Sequence, residues 1–135
     1  MTEPSIFTRI ASGEIPANIL YEDPECFVIL THEPINPGHL MVIPREEVDH
    51  VWDIEDELYT HLMLVAKKMA LKMRQVYDYK RIGMLVEGFG VPHAHIHVFG
   101  FNEPLEPTIT SHIANKKIMS PDQLQFEADK LTSQQ

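Results

Sequence analysis

The sequence is poor in cysteine, in bases and in long apolar runs. One cysteine, Cys26, stands among 135 residues, so no intramolecular disulfide can form and a reducing compartment suits the chain. Bases number 11 against 20 acids, for a formal net charge of −9. Such a surface repels a phosphate backbone, which argues against an RNA or DNA polymer as partner. A single small phosphate ligand differs, because backbone N–H groups and imidazoles hold it locally. The apolar runs fall far short of the roughly 20 residues of a membrane span. The start, Met1-Thr2-Glu3-Pro4, lacks the basic-then-apolar pattern of a signal peptide. A cytoplasmic protein without membrane association is expected, and no internal repeat or low-complexity segment is visible.

What is present fits one domain over residues 1–135. Its 44% of hydrophobic residues suffices for a packed core without disulfides or a structural metal. Ile6, Phe7 and Ile10 lie at helical spacing between Ser5 and Ser12, and Gly13 ends that short helix. Strands are predicted at Ile19–Glu22 and Cys26–Leu30, joined by an Asp23-Pro24-Glu25 turn. A loop with Pro34, Pro37 and Gly38 delivers His39 to a strand from Leu40 to Ile43, which Pro44 ends.

Leu58, Leu62, Val65, Met69, Met73 and Val76 form the stripe of one long helix. Asp53, Glu55, Asp56 and Glu57 crowd its positive end, and Lys72 and Arg74 lie towards the other. A strand from about Arg81 to Glu87 turns at Gly88-Phe89-Gly90 into a partner strand, Pro92 to Phe99. Ser120-Pro121 starts a last helix through about Leu131, and residues 132–135 are expected to fray. Strands joined by short turns, with one long helix and short terminal helices, give an α+β fold on an antiparallel sheet.

His93, His95 and His97 alternate with Ala94, Ile96 and Val98. On a strand the three imidazoles share one face, starting roughly 7 Å apart, and the apolar residues share the other. Three readings are open: a wet sheet face without a task, a metal site built on imidazoles, or nucleophilic and acid–base chemistry on an anionic substrate. His32, His50, His61 and His112 have no partners at suggestive spacing and read as solvated. Ile6, Phe7 and Ile10 are equally good as ordinary core.

The run His93-Ala94-His95-Ile96-His97-Val98-Phe99 resembles the signature of the histidine triad (HIT) superfamily. Ser5-Ile6-Phe7-Thr8-Arg9-Ile10, Gly13-Glu14-Ile15-Pro16-Ala17 and Pro34-Ile35-Asn36-Pro37-Gly38-His39-Leu40-Met41-Val42-Ile43-Pro44 resemble its Hint-like branch. The likeness runs from about Ser5 to Phe101, leaving residues 102–135 as a C-terminal extension. It implies a homodimeric α+β fold and hydrolysis or transfer at the α-phosphorus of nucleoside phosphoramidates or dinucleoside polyphosphates. By that likeness His95 attacks phosphorus and forms a nucleotidyl-imidazole. His93 and His97 orient it, stabilise charge or help protonate the leaving group, and His39 is a fourth histidine at the site. Ile6, Phe7, Ile10 and Ile29 would form the slot for a purine base, with Thr31 beside the ribose.

The sequence departs from that pattern in three places. Ser5 and Thr8 stand where many relatives carry a Cys-x-x-Cys zinc half-site, so no zinc of that kind is expected, and no cofactor is assigned. Thr31 stands where an Asp or Asn would meet the ribose hydroxyls. The stretch Glu87-Gly88-Phe89-Gly90-Val91-Pro92 is shorter than usual and lacks an amide and a hydroxyl for phosphate. Gly88 and Gly90 are the candidate backbone donors there, and Glu87 either accepts a proton or ends a strand. The same gap leaves room for a module that binds a nucleotide without turning it over.

Overall fold

In the computed structural model, which describes residues 3–132, five antiparallel strands and four helices form the expected α+β architecture. Helix α1 (Ile6–Ala11) leads into β1 (Ile19–Glu22), β2 (Cys26–Leu30) and β3 (Leu40–Pro44). A 3₁₀ turn at Val51–Asp53 precedes α2 (Asp56–Val76), then come β4 (Arg81–Leu85), β5 (Ile96–Phe101), α3 (Leu105–Ala114) and α4 (Pro121–Thr132). The strand order is β1-β2-β3-β5-β4, so β3 and β5, which flank the histidines, are interior.

Alternation along the strands builds two cores. Cys26, Val28, Leu30, Leu40, Val42, Ile96 and Val98 turn to one face and meet Leu62, Val65, Met69 and Met73 of α2. Phe27, Ile29, Met41 and Ile43 turn to the other and meet Phe7 and Ile10 of α1. Covering on both faces is why β2 and β3 are apolar throughout. The stripe on α2 therefore packs as the spacing predicts, with Asp56 and Glu57 in its first turn and Arg74 in its last.

The elements differ from the sequence reading in several places, chiefly around the triad and after it. Strand β4 stops at Leu85, two residues short of Glu87. Strand β5 starts at Ile96, because Pro92 lacks an N–H for pairing and Ala94 N–H donates instead to the Val48 carbonyl at 2.7 Å. Helix α3, unexpected from the sequence, starts after Pro104 and carries no buried residue. Helix α4 begins as predicted: Ser120 Oγ accepts Gln123 N–H at 3.2 Å while Gln123 Oε1 accepts Ser120 N–H at 2.9 Å. Among the described residues it runs to Thr132, which is helical where the sequence reading expects fraying, and the remaining expected fraying, residues 133–135, lies outside the described residues.

Candidate active site

The alternation predicted for the triad holds on its apolar side, where Ala94, Ile96 and Val98 all enter the α2 core. The imidazoles are less regular than one extended strand would make them. His93 and His95 precede β5, and His97 alone of the three lies on it. The rings of His95 and His97 are 5.0 Å apart between centroids, edge to face, while Phe7 of α1 packs its ring 5.6 Å from His93 and 5.0 Å from His95. The wet-face reading fails. His93, His95 and His39 are all buried, and His97 is half-buried.

The hydrogen bonds fix which ring nitrogen carries each proton. The Ile35 N–H donates to His39 Nδ1 at 2.9 Å, so the proton of neutral His39 sits on Nε2. That Nε2–H donates to His97 Nδ1 at 2.9 Å, which leaves the His97 proton on Nε2, free to donate. His95 Nδ1–H donates to the His93 carbonyl at 2.8 Å, so its Nε2 keeps a lone pair. His93 Nε2–H donates to the Pro44 carbonyl at 2.7 Å, and the Ser5 hydroxyl donates to its Nδ1 at 2.6 Å. One ring thus offers a nucleophilic nitrogen, its neighbour offers a donor, and the other two are consumed in holding them.

Burial keeps His39, His97 and His93 neutral. It pulls His39 down to about 3, with His97 and His112 adding repulsion. Burial and the adjacent His95 pull His97 down to about 4 against the opposing Glu87. Burial also lowers His93, against the Pro44 carbonyl and Glu47.

The supporting groups come from loops. Gly38 has φ +89°, and a Cβ there would lie 2.5 Å from the Tyr77 ring; glycine meets both demands. The loop is tied by Asn36 Nδ2 to the Gly100 carbonyl at 2.8 Å and by Tyr79 OH to the Pro37 carbonyl at 2.7 Å. At the other side, Ser5 caps α1 by accepting Thr8 N–H at 3.2 Å. Glu47 Oε1 accepts both Ser5 N–H and Thr8 O–H at 2.6 Å. These two bonds, Thr8's first, hold the Glu47 carboxyl below the usual range. The two non-thiolate positions therefore serve as a hydrogen-bonded support for His93. Glu47 carried no signal in the sequence, since neither spacing nor periodicity links it to residues 5 and 93.

A cavity of about 260 Å³ opens onto His95, lined by His50, Trp52, Glu87, Gly88 and Phe89 among others. Gly88, with φ +89°, is half-buried there; Gly90 is exposed and does not line it. Phe7, Ile10 and Ile29 are buried in the core on the α1 face, and Ile6 is half exposed. Thr31 is half-buried, its hydroxyl accepting Glu33 N–H at 3.2 Å. Of the histidines read as solvated, His50 is exposed but lines this cavity. His61 is partly buried and bonded to Asp23, and His112 is partly buried. A larger groove of about 620 Å³, between α2, α4 and β1, contains none of the triad residues.

The profile of the HIT domain family matches residues 12–103. An uncharacterised HIT-like protein of Synechococcus elongatus is 33% identical over 105 residues, which span 74% of this chain and 92% of that protein. Among solved structures, a HIT-like protein involved in cell-cycle regulation from Bartonella henselae superposes with a TM-score of 0.83 at 23% identity, covering 97% of this chain and 96% of that one. A hypothetical histidine triad nucleotide-binding protein from Sulfolobus tokodaii gives 0.80 at 21% identity, covering 93% and 88%. At those identities the two structures speak for the fold.

Proposed function

The chain belongs to the HIT domain family, and from that premise we propose that it is a nucleotidyl hydrolase or transferase working through a covalent nucleotidyl-histidine at His95. Its substrates are nucleoside phosphoramidates or dinucleoside polyphosphates, attacked at the α-phosphorus. The observation that carries this reading is the bond from His95 Nδ1–H to the His93 carbonyl at 2.8 Å. It commits one nitrogen and leaves the other as a nucleophile beside a cavity.

In the first step the bond from His95 Nε2 to phosphorus forms as the bond to the leaving amine or phosphate breaks. The leaving group keeps the bonding pair and takes a proton from solvent. In the second step water adds to phosphorus, the nitrogen–phosphorus bond breaks, and the water's proton returns to solvent. His97 Nε2–H donates to the phosphoryl oxygens, whose charge grows in both steps. His93 and His39 act through other groups and are positioning residues. Gly88 N–H is the backbone donor to phosphate that the cavity favours, and Gly90 is a weaker candidate.

The ligand is a purine nucleotide or a nucleoside phosphate derivative, supported by the nucleotide-binding description of the Sulfolobus neighbour. The base packs against Ile6, Phe7, Ile10 and Ile29, the side that carries Phe7 to the histidines, with Thr31 near the ribose. The working unit is a cytoplasmic homodimer. Among the described residues no helix is long and apolar enough to cross a membrane.

Adenosine phosphoramidate and a dinucleoside tetraphosphate test the proposal. Turnover falls roughly 10³-fold or more in His95→Ala, and brief incubation of the parent protein yields an acid-labile nucleotidyl adduct by mass spectrometry. Equal turnover by the two proteins removes His95 from the chemistry. A binding-only role is favoured by the sparse donors of residues 87–92. Calorimetric binding of AMP with no adduct and no turnover would select it.

A further inference from the structure

We infer that Asp23, Cys26 and His61 form a binding site for one zinc-class divalent ion that clamps the β1–β2 turn to helix α2. Among the described residues this is the group in which three metal-ligating atoms lie within 4.8 Å of one another. His61 Nε2 is 2.7 Å from Asp23 Oδ2, and Cys26 Sγ is 3.8 Å from the same oxygen. A tetrahedral zinc, with bonds of about 2.0–2.3 Å, spaces its ligand atoms roughly 3.3–3.7 Å apart. The set is therefore close to the right size: the carboxylate–imidazole pair opens by less than roughly 1 Å, and the thiol, within 4.8 Å of both partners, closes by no more than about that distance.

The donor chemistry agrees. A thiolate, a carboxylate and a neutral imidazole together neutralise a dication, and sulfur with nitrogen suits zinc or cobalt. A hard cation such as calcium needs six or more oxygens, which are absent here. Asp23 is also prepared as a ligand. Its Oδ1 accepts the N–H groups of Glu25 at 2.8 Å and Cys26 at 2.9 Å, and Tyr21 O–H donates to Oδ2 at 2.7 Å. Outer hydrogen bonds of this kind orient ligating carboxylates. The Asp23 side chain is 16% exposed and that of His61 34%, so solvent reaches these two ligands and water can complete the shell from their side, while the Cys26 thiol is fully buried beneath them. Binding releases the Cys26 thiol proton to solvent. Asp23 and Cys26 flank a turn, whereas His61 is on the second turn of α2, so the ion joins segments far apart in the chain.

The full-length chain, stripped of metal by chelator, is titrated with Co²⁺ alone. Cys26 is the only cysteine, so a near-ultraviolet thiolate-to-cobalt band can arise only from this site. One equivalent should saturate the band, and Zn²⁺ should bleach it. His61→Ala should weaken binding at least tenfold, while His95→Ala leaves it unchanged. Zn²⁺ at ~100 times its Kd should raise the melting temperature by on the order of 10 °C in the parent, and by far less in His61→Ala. The band is measured in the parent protein, so the reading does not depend on a Cys26 variant that folds. Absence of the band at millimolar Co²⁺, or equal affinity in His61→Ala, overturns the proposal. The cluster is then a hydrogen-bonded turn and nothing more.

Discussion

Ser5 has two duties. Its hydroxyl donates to His93 Nδ1 while its lone pairs accept the Thr8 N–H that starts α1. Removing the hydroxyl in Ser5→Ala leaves a buried imidazole nitrogen without a partner, which costs about 1–3 kcal/mol. The same change loosens His93, whose carbonyl sets the His95 ring, so turnover should fall with KM little changed. Urea midpoints and steady-state kinetics check the two parts. A loss of stability with kcat intact would show that His93 is held well enough by Pro44 alone.

His39 and His97 carry a second prediction at this scale. Burial brings their folded pKa values to about 3 and about 4, below the ordinary 6.5. As pH falls through 6.5 the unfolded chain takes up protons that the folded chain refuses. Stability is therefore full above pH 6.5 and declines as pH drops towards 4, by up to roughly 1.4 kcal/mol per pH unit for each histidine. Urea titrations at pH 7 and pH 5 measure the slope, to which buried His93 adds in the same direction, and His97→Asn should make it clearly shallower. A slope unchanged by His97→Asn would assign the loss to other groups.

Elements explain which parts of the site were legible. Period-two alternation and unbroken apolar runs identify β2 and β3, and the three-four spacing identifies α2, because each buries its pattern against a neighbour. Alternation also sorts Ala94, Ile96 and Val98 from the imidazoles. It misses that Pro92 takes His93 and His95 off the strand, since pairing with the Val48 carbonyl is a long-range event. Helix α3 was illegible for a related reason: with no buried face it leaves no periodic signal. The loop before β3 was better marked, because Gly38 announces a turn. Its strictness comes from Tyr77, which sequence alone does not bring near. Gly38→Ala meets both the positive φ and the ring at 2.5 Å, and should cost on the order of 2–4 kcal/mol. The Ile35–His39–His97 chain then loses register, so activity should fall more than in a variant equally destabilised in α4. Equal activity losses in the two would detach the loop from the chemistry.

At the scale of the whole molecule, the unpaired flank of the sheet is the open question. Strand β4 is at the edge, and Met84, Leu85 and Val86 are exposed at 49%, 38% and 42%. Edge strands that stay single are usually guarded by charge, proline or a bulge, yet only Arg81 supplies a charge within β4. A second copy across a two-fold axis would satisfy the edge by pairing β4 with itself, and such isologous pairing closes without leading to fibres. The net charge of −9 opposes association weakly at physiological salt, where screening acts over about 8 Å, so the apolar edge should prevail. Light scattering should give a particle of twice the chain's 15.5 kDa. Met84→Lys, which places the missing guard on the edge, should shift it towards the single chain as protein is diluted. The cavity at His95 is bounded by residues that directly follow β4, Val86 to Phe89. Dissociation should therefore raise KM for the nucleotide, while the His39–His97 and His93–His95 bonds, all internal to one chain, keep kcat near its parent value. A parent particle of 15.5 kDa that turns over substrate normally would end this account of the edge.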